Sequence, residues 1–231
     1  MMKATDSGRR YKHTIDMEVI YEDNHLIIVN KAVGEIVQGD KTGDTPLSET
    51  VKQYLKEKYN KPGNVFCGVT HRIDRPVEGL VVLAKTSKAL ERMNRMFRDG
   101  EVHKIYHAIV EGHPDKEDAI LENYLVSDGR INKTFVTDSD NKDGKLSKLH
   151  YHVIERFDRY TLIEIELITG RKHQIRAQLA ATGHPIKGGL KYGAGRSNRN
   201  GGISLQSHRI RFTHPVSKKE IDISLPNEPS L

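Results

Sequence analysis

The stretch Val69-Thr70-His71-Arg72-Ile73-Asp74-Arg75-Pro76-Val77-Glu78-Gly79-Leu80 sets one carboxylate, Asp74, between two arginines and ends in a glycine turn. Cations on either side favour the anionic form of an aspartate. Such a group is a poor general acid. It suits a nucleophile, or an electrostatic partner for a developing cation. The plainer alternative is a surface ion pair that holds a loop. A second cluster, Thr169-Gly170-Arg171-Lys172-His173-Gln174-Ile175-Arg176, runs from the end of a strand into the start of a helix. Free amides at a helix start, beside Arg171 and Lys172, make a phosphate site. The alternative is a helix N-terminus with an arginine cap.

Both clusters need elements to hold them. Leu80-Val81-Val82-Leu83-Ala84 is a continuous apolar run and reads as a fully buried strand, so Asp74 sits on a loop at the lip of a sheet. Upstream, Glu18 to Tyr21 and His25 to Lys31 read as two strands joined by a turn. Residues 34–45 form a loop rich in Gly, Asp and Lys. Pro46 opens a helix with Leu47, Val51 and Leu55 on one face, and a short strand covers Asn64 to Val69. Ser87 caps a second helix, with Leu90, Met93, Met96 and Phe97 on one face and Asp99-Gly100 as its stop. Val102 to Val110 is a strand. Several strands follow between Asp118 and Ile168, among them Ile131 to Val136, Lys148 to Ile154 and Tyr160 to Ile168. His173 to Ala181 is a helix with Ile175, Leu179 and Ala180 turned inward. Lys187 to Gly202 has no core pattern and reads as a mobile basic loop. Ile203 to Phe212 and Glu220 to Leu225 close the chain as strands. The sum is an α+β fold: a mixed, mainly antiparallel sheet with flanking helices. Residues 1–14 read as a flexible basic tail, and 15–231 as a single domain with no linker.

Composition narrows the class. At 36% hydrophobic residues over 231, the chain can build a sizeable core. Its single cysteine, Cys67, lies in an apolar context and allows no internal disulfide, so it reads as buried filler. No apolar run reaches the length of a membrane span, and the first residues do not resemble a signal peptide, which predicts a cytoplasmic protein. The net charge is +6, and its placement matters more than its size. From Arg171 onward there are 11 Lys+Arg against 3 Asp+Glu, while the preceding part holds 26 against 28. A basic C-terminal quarter suggests a polyanion partner, with nucleic acid leading.

Taken together, His71 to Gly79, Lys104 to Gly112, Thr169 to Arg176 with Gly183 to Gly188 and Tyr192-Gly193, and His208 to Pro215 resemble, in order and spacing, the motifs of the RluA-like family of RNA pseudouridine synthases. The resemblance runs from about Val19 to Pro226. It implies the pseudouridine synthase catalytic fold and an isomerase acting on uridines of ribosomal or transfer RNA. Asp74 would detach uracil from its ribose, by attack on sugar or base. Tyr106 would stack on the base and take part in proton removal, and Arg176 would pair with Asp74. Arg72 would help fill the gap left by the flipped-out nucleotide, and Ile203 or Leu205 would supply an apolar wall. Arg75, Arg171, Lys172, His173 and Gln174 complete the expected substrate contacts. The reaction needs no redox cofactor and no metal, and a monomer suffices.

The chain departs from the family pattern at Ala32, at Val77 and Glu78, and at Gly189. It begins almost at the catalytic region, so no accessory N-terminal RNA-binding domain is expected. Recognition then rests on basic loops such as Lys187 to Asn200. Two other functions compete. One is a non-catalytic RNA-binding or ribosome-assembly protein, which would have no use for an anion facing RNA. The other is a metal-dependent nuclease, which lacks a second carboxylate beside Asp74 other than Glu78. Among the histidines, His150 and His152 share a strand face but lack an acidic neighbour in sequence. His103 and His107 read as packing or RNA-facing. Arg209 and Arg211 face either RNA phosphates or solvent.

Overall fold

The computed structural model describes residues 17–229. The expected basic tail, 1–14, lies outside them. The described strands form one sheet. In chain order they are β1 (Glu18–Glu22), β2 (Leu26–Lys31), β3 (Gly68–Val69), β4 (Glu78–Ala84), β5 (His103–Glu111), β6 (Asp118–Asp128), β7 (Lys133–Thr137), β8 (Lys145–Arg156), β9 (Tyr160–Leu167), β10 (Leu205–Thr213) and β11 (Glu220–Ser224). The sheet order is β1-β2-β4-β10-β5-β9-β8-β6-β7, with β11 on β10 and β3 on β4. Every pairing is antiparallel except β10 with β4, where Gln206 lies opposite Glu78 and Ser207 opposite Gly79. That one parallel contact sets the end of the Asp74 loop against β10, one strand from Tyr106 of β5. Only glycine fits at 79: its φ is +118°, and a Cβ there would stand 2.5 Å from the Ser207 carbonyl oxygen.

The apolar run of β4 is explained by burial on both faces. Val81 and Leu83 join Ile27 and Val29 against the first helix, α1 (Leu47–Lys58), through its Leu47, Val51 and Leu55. Leu80 and Val82 join Leu26 and Ile28 against the second, α2 (Ser87–Asp99), through Ala89, Met93 and Met96. The N-cap of α2 is Thr86 rather than Ser87: Thr86 is extended and its hydroxyl accepts the Ala89 N–H at 3.2 Å. Gly100 ends it in the left-handed conformation, as its sequence position predicts. The strand expected over Asn64 to Val69 is reduced to Gly68–Val69. Gly68 pairs with Ala84, the last residue of β4, so the residues before Gly68 have no strand to pair with.

The third helix, α3 (Gln174–Ala181), begins one residue later than expected. Ile175 and Leu179 face inward as predicted, and Ala180 is only partly buried. Three polar residues, Gln174, Arg176 and Gln178, are buried with them. Gln178 donates to the Asn123 Oδ1 at 2.9 Å and lies 3.1 Å from the Leu121 carbonyl, which fastens α3 to β6. The basic stretch 187–202 is less open than its composition suggests. It contains a 3-10 turn, Leu190–Tyr192, and both Tyr192 and Ala194 are buried.

Candidate active site

A cleft of about 540 Å³ opens between the Asp74 loop, the C-terminal end of α2, β5 and the start of α3. Asp74 lines it, with its carboxylate 29% exposed. The Val77 N–H donates to the Asp74 carbonyl at 3.0 Å and closes the loop into a turn. Arg176 Nη1 donates to Asp74 Oδ2 at 3.0 Å. Its guanidinium lies over the Tyr192 ring, 4.9 Å from the centroid. A planar cation with a carboxylate on its edge and an aromatic ring on its face is well fixed. Its Nε is buried with no hydrogen-bond partner among the described residues.

Tyr192 organises more than Arg176. Its hydroxyl accepts the Thr134 N–H at 2.9 Å and lies 2.9 Å from His173 Nδ1. His173 itself stands in the left-handed region at φ 51°, an uncommon state for a side-chain-bearing residue that clusters at functional sites. Its Nε2 faces Asp74 Oδ2 at 3.7 Å, beyond hydrogen-bond reach. Burial pushes the imidazole down to about 4, so His173 is neutral at physiological pH.

Tyr106 is 6% exposed and forms part of the cleft wall. Burial pushes its phenol up to about 12, against a hydrogen bond with Ser207 that acts the other way. The hydroxyl is therefore protonated at neutral pH. Leu205 completes the apolar side of the cleft with Ile73, Val77 and Phe97.

His71 and Lys104 also line the cleft, although sequence reasoning gave neither a role. His71 Nε2 accepts the Val82 N–H at 3.0 Å and its ring packs on Phe97 at 4.6 Å. Burial pushes it down to about 3, and it stays neutral. Lys104 has its ammonium lowered by burial. No carboxylate pairs with it among the described residues. Lys31 is a further unforeseen contributor. It is fully buried, and its Nζ donates to the carbonyls of Ala32 (2.8 Å), Glu35 (2.9 Å) and Arg75 (3.3 Å). It thus ties the residue after Asp74 to the end of β2. Burial lowers its ammonium to about 8.

Several expected contacts fall elsewhere. Arg75 does not line the cleft. It donates to Asp44 at 2.6 Å and to the Thr42 hydroxyl at 2.7 Å, which makes it a strut for the 34–45 loop. Arg72 is exposed and does line the cleft, as does Arg171. Lys172 is exposed but outside it. Ile203 lines a separate cavity with Lys187, Arg196 and Arg199, leaving Leu205 as the apolar wall. The expected phosphate site is altered too. Gln174, 2% exposed, accepts the Arg171 N–H at 3.0 Å through Oε1 and donates to the Lys148 carbonyl at 3.1 Å. The Arg171 amide is therefore already taken, and the first amide of the helix, that of Gln174, donates to the Arg171 carbonyl at 3.1 Å. Arg209 is held by Asp222 at 2.7 Å. His150 does have an acidic neighbour, Asp118, at 2.8 Å across the β6–β8 pairing. Cys67 is buried, with its thiol pushed up to about 12, as its apolar setting predicts.

Residues 25–181 match the family model described as RNA pseudouridylate synthase. The chain belongs to that family. It is 33% identical over 219 residues to a ribosomal large subunit pseudouridine synthase C of Vibrio cholerae, covering 92% of this chain and 66% of the relative. It is 29% identical over 225 residues to a tRNA pseudouridine synthase C of Vibrio parahaemolyticus, covering 90% of this chain and 89% of the relative. Among solved structures, human RNA Pseudouridylate Synthase Domain Containing 1 superposes with a TM-score of 0.73 at 21% identity. That match covers 92% of this chain and 84% of the human one. The pseudouridylate synthase fold accounts for the α+β sheet read from the sequence. Asp74, Tyr106 and Arg176, which the motifs single out, meet in one cleft of that fold.

Proposed function

We propose that this pseudouridylate synthase isomerises uridine to pseudouridine in a structured ribosomal or transfer RNA, with residues 15–231 as its catalytic unit. The observation that carries the reading is the Asp74–Arg176 pair at 3.0 Å, set in a cleft walled by Tyr106. The target base has to leave its stack, at a cost of a few kcal/mol, and be held in a pocket. Tyr106 and Leu205 offer the faces that hold it. The Asp74 carboxylate attacks the ribose C1′ or the uracil ring, and the C1′–N1 bond breaks. The base turns, a C1′–C5 bond forms, and Asp74 is released. C5 loses its proton and N1 gains one, so the sum is redox-neutral and requires no cofactor.

Arg176 holds Asp74 aimed at the base and balances its charge. Tyr106 enters protonated and serves as a stacking wall; proton removal from C5 through it requires an acceptor for its own proton. Arg72 and Arg171, exposed at the rim, meet the RNA backbone, which supplies most of the affinity. The chain acts as a cytoplasmic monomer. No helix among the described residues is long and apolar enough to cross a membrane. Tritium release from RNA labelled at C5 of uracil tests the reading, run separately on transfer and ribosomal RNA transcripts. Release from either pool is expected and assigns the substrate class. Binding without release from both pools and from assembling ribosomal particles would leave only an RNA-binding protein.

A further inference from the structure

Strand alternation turns His107 away from Tyr106, to the face of β5 opposite the cleft. There three side chains with metal-ligating atoms converge from three separate stretches. His107 is 5% exposed. Its Nδ1 meets the carboxylate of Glu228, in the segment after β11, and its Nε2 lies 3.3 Å from Glu164 Oε2. His208 stands where β10 shifts register between Ser207 and Arg209. Its ring stacks on His107 with centroids 3.7 Å apart. One ligand atom from each of His107, His208 and Glu228 lies within 4.8 Å of the others, and no other such group of three occurs among the described residues.

We propose that His107, His208 and Glu228 form a site for a divalent transition-metal cation of the Zn²⁺ class, which fastens the C-terminal segment to the back of the sheet. Two imidazoles and one carboxylate suit Zn²⁺, Co²⁺, Ni²⁺ or Cu²⁺, and not Mg²⁺ or Ca²⁺, which take oxygen ligands. The stronger argument lies in what the other ring nitrogens do. A histidine that ligates a metal commonly donates its second N–H to a carboxylate or carbonyl, which fixes the tautomer. Both ring nitrogens of His107 face carboxylates, Nδ1 that of Glu228 and Nε2 that of Glu164; a metal would replace the proton between Nδ1 and Glu228, while Glu164 takes the Nε2–H. On His208, Nδ1 lies 2.9 Å from Gln206 Oε1. The Gln206 amide is oriented by Glu78, whose carboxylate can only accept from its Nε2, at 3.5 Å. His208 therefore carries its proton on Nδ1 and keeps the Nε2 lone pair. A metal lies in the plane of each ring it binds, so the stack has to open. His208, the less buried ring, is the one that turns. The site lies across the sheet from Asp74 and takes no part in isomerisation.

The test is competition for Zn²⁺ between tag-free, metal-stripped protein and a chromophoric chelator, with Co²⁺ visible spectra to report nitrogen ligation. One Zn²⁺ per chain is expected, unaffected by millimolar-range Mg²⁺. His208→Gln and Glu228→Gln, at less buried positions, should each weaken it about tenfold or more, while melting without metal confirms that both fold. Glu164→Gln, which touches no metal, should weaken it by roughly 10–100-fold. A double His150→Ala/His152→Ala variant, lacking the pair near Asp118, should bind as the parent does. The proposal is overturned by affinity weaker than about 10⁻⁵ M, by binding indifferent to His208→Gln and Glu228→Gln, or by binding that disappears in the His150/His152 variant.

Discussion

Arg176 and Asp74, 102 residues apart in sequence, meet at 3.0 Å between Nη1 and Oδ2. Neither position is arbitrary. The parallel contact of β10 with β4 sets the end of the Asp74 loop one strand from β5, and Gln178 fastens α3 to β6 so that Arg176 enters the cleft from the other side. The pair has one charge mostly covered and the other buried, so each residue needs the other more than a surface ion pair would.

Asp74→Asn keeps the shape of the side chain and removes its charge and nucleophilicity. Tritium release is expected to fall at least about 10⁴-fold, as for loss of a covalent catalyst. RNA binding should be kept or slightly tightened, because an anion facing phosphate is gone. Release at the parental rate from purified Asp74→Asn protein would remove Asp74 from the mechanism.

Tyr192→Phe deletes the hydroxyl that accepts the Thr134 N–H and meets His173 Nδ1. Thr134 is 1% exposed, so its amide is left buried and unpaired, at a cost of about 1–3 kcal/mol. Urea denaturation should show that loss. The ring under Arg176 remains, so turnover should fall only several-fold, in kcat more than in KM. Unchanged stability would mean that Thr134 finds another acceptor.

What the sequence revealed and what it hid divide along one physical line. Local patterns were legible: the i, i+4, i+8 face of α1, the apolar run of β4, the glycine stop of α2, and the ordered motifs holding Asp74, Tyr106 and Arg176. Choices of long-range partner were not. Arg75 stands next to Asp74 in sequence, yet it turns to Asp44 and Thr42, because the 34–45 loop folds back over it. Ile203 and Leu205 are equal candidates by composition and sit in different cavities. Tyr192 lay in a stretch too rich in Gly and Arg to look like core. Lys31 looked like the polar end of a strand, and nothing in its neighbours reveals that three carbonyls from two loops close around it.

Lys31 carries a pH signature. Its folded ammonium is lowered to about 8 from an ordinary 10.5. Between those values the unfolded chain holds the proton and the folded chain has lost it, so this group makes stability rise with pH across that window. Below pH 8 both states hold the proton, and the cost of burying the ammonium is fully present. Lys31→Met removes the titration. The stability difference, parent minus variant, should therefore be flat below about pH 8 and grow towards pH 10. At pH 7.5 the variant should lose activity more than stability, since Ala32, Glu35 and Arg75 lose a common donor and the Asp74 loop loosens. A difference that stays flat to pH 10 would show that Lys31 is not the buried cation described.

Lys104 tests where the RNA runs. It is a desolvated cation in the cleft, without a carboxylate partner among the described residues. The negative charge that would relieve it is a backbone phosphate beside the flipped nucleotide. Lys104→Met removes that charge while keeping much of the apolar stem. Binding should weaken, and the slope of log K against log salt should become shallower by about 0.7–0.9, the share of one phosphate contact. Arg98, on the rim of the same cleft and 72% exposed, is the comparison. Arg98→Met should change the slope by less, because a cation that water already solvates and Asp99 already neighbours gains little from a phosphate. Equal slopes for the parent and Lys104→Met would place the backbone elsewhere and leave Lys104 as a wall of the base pocket.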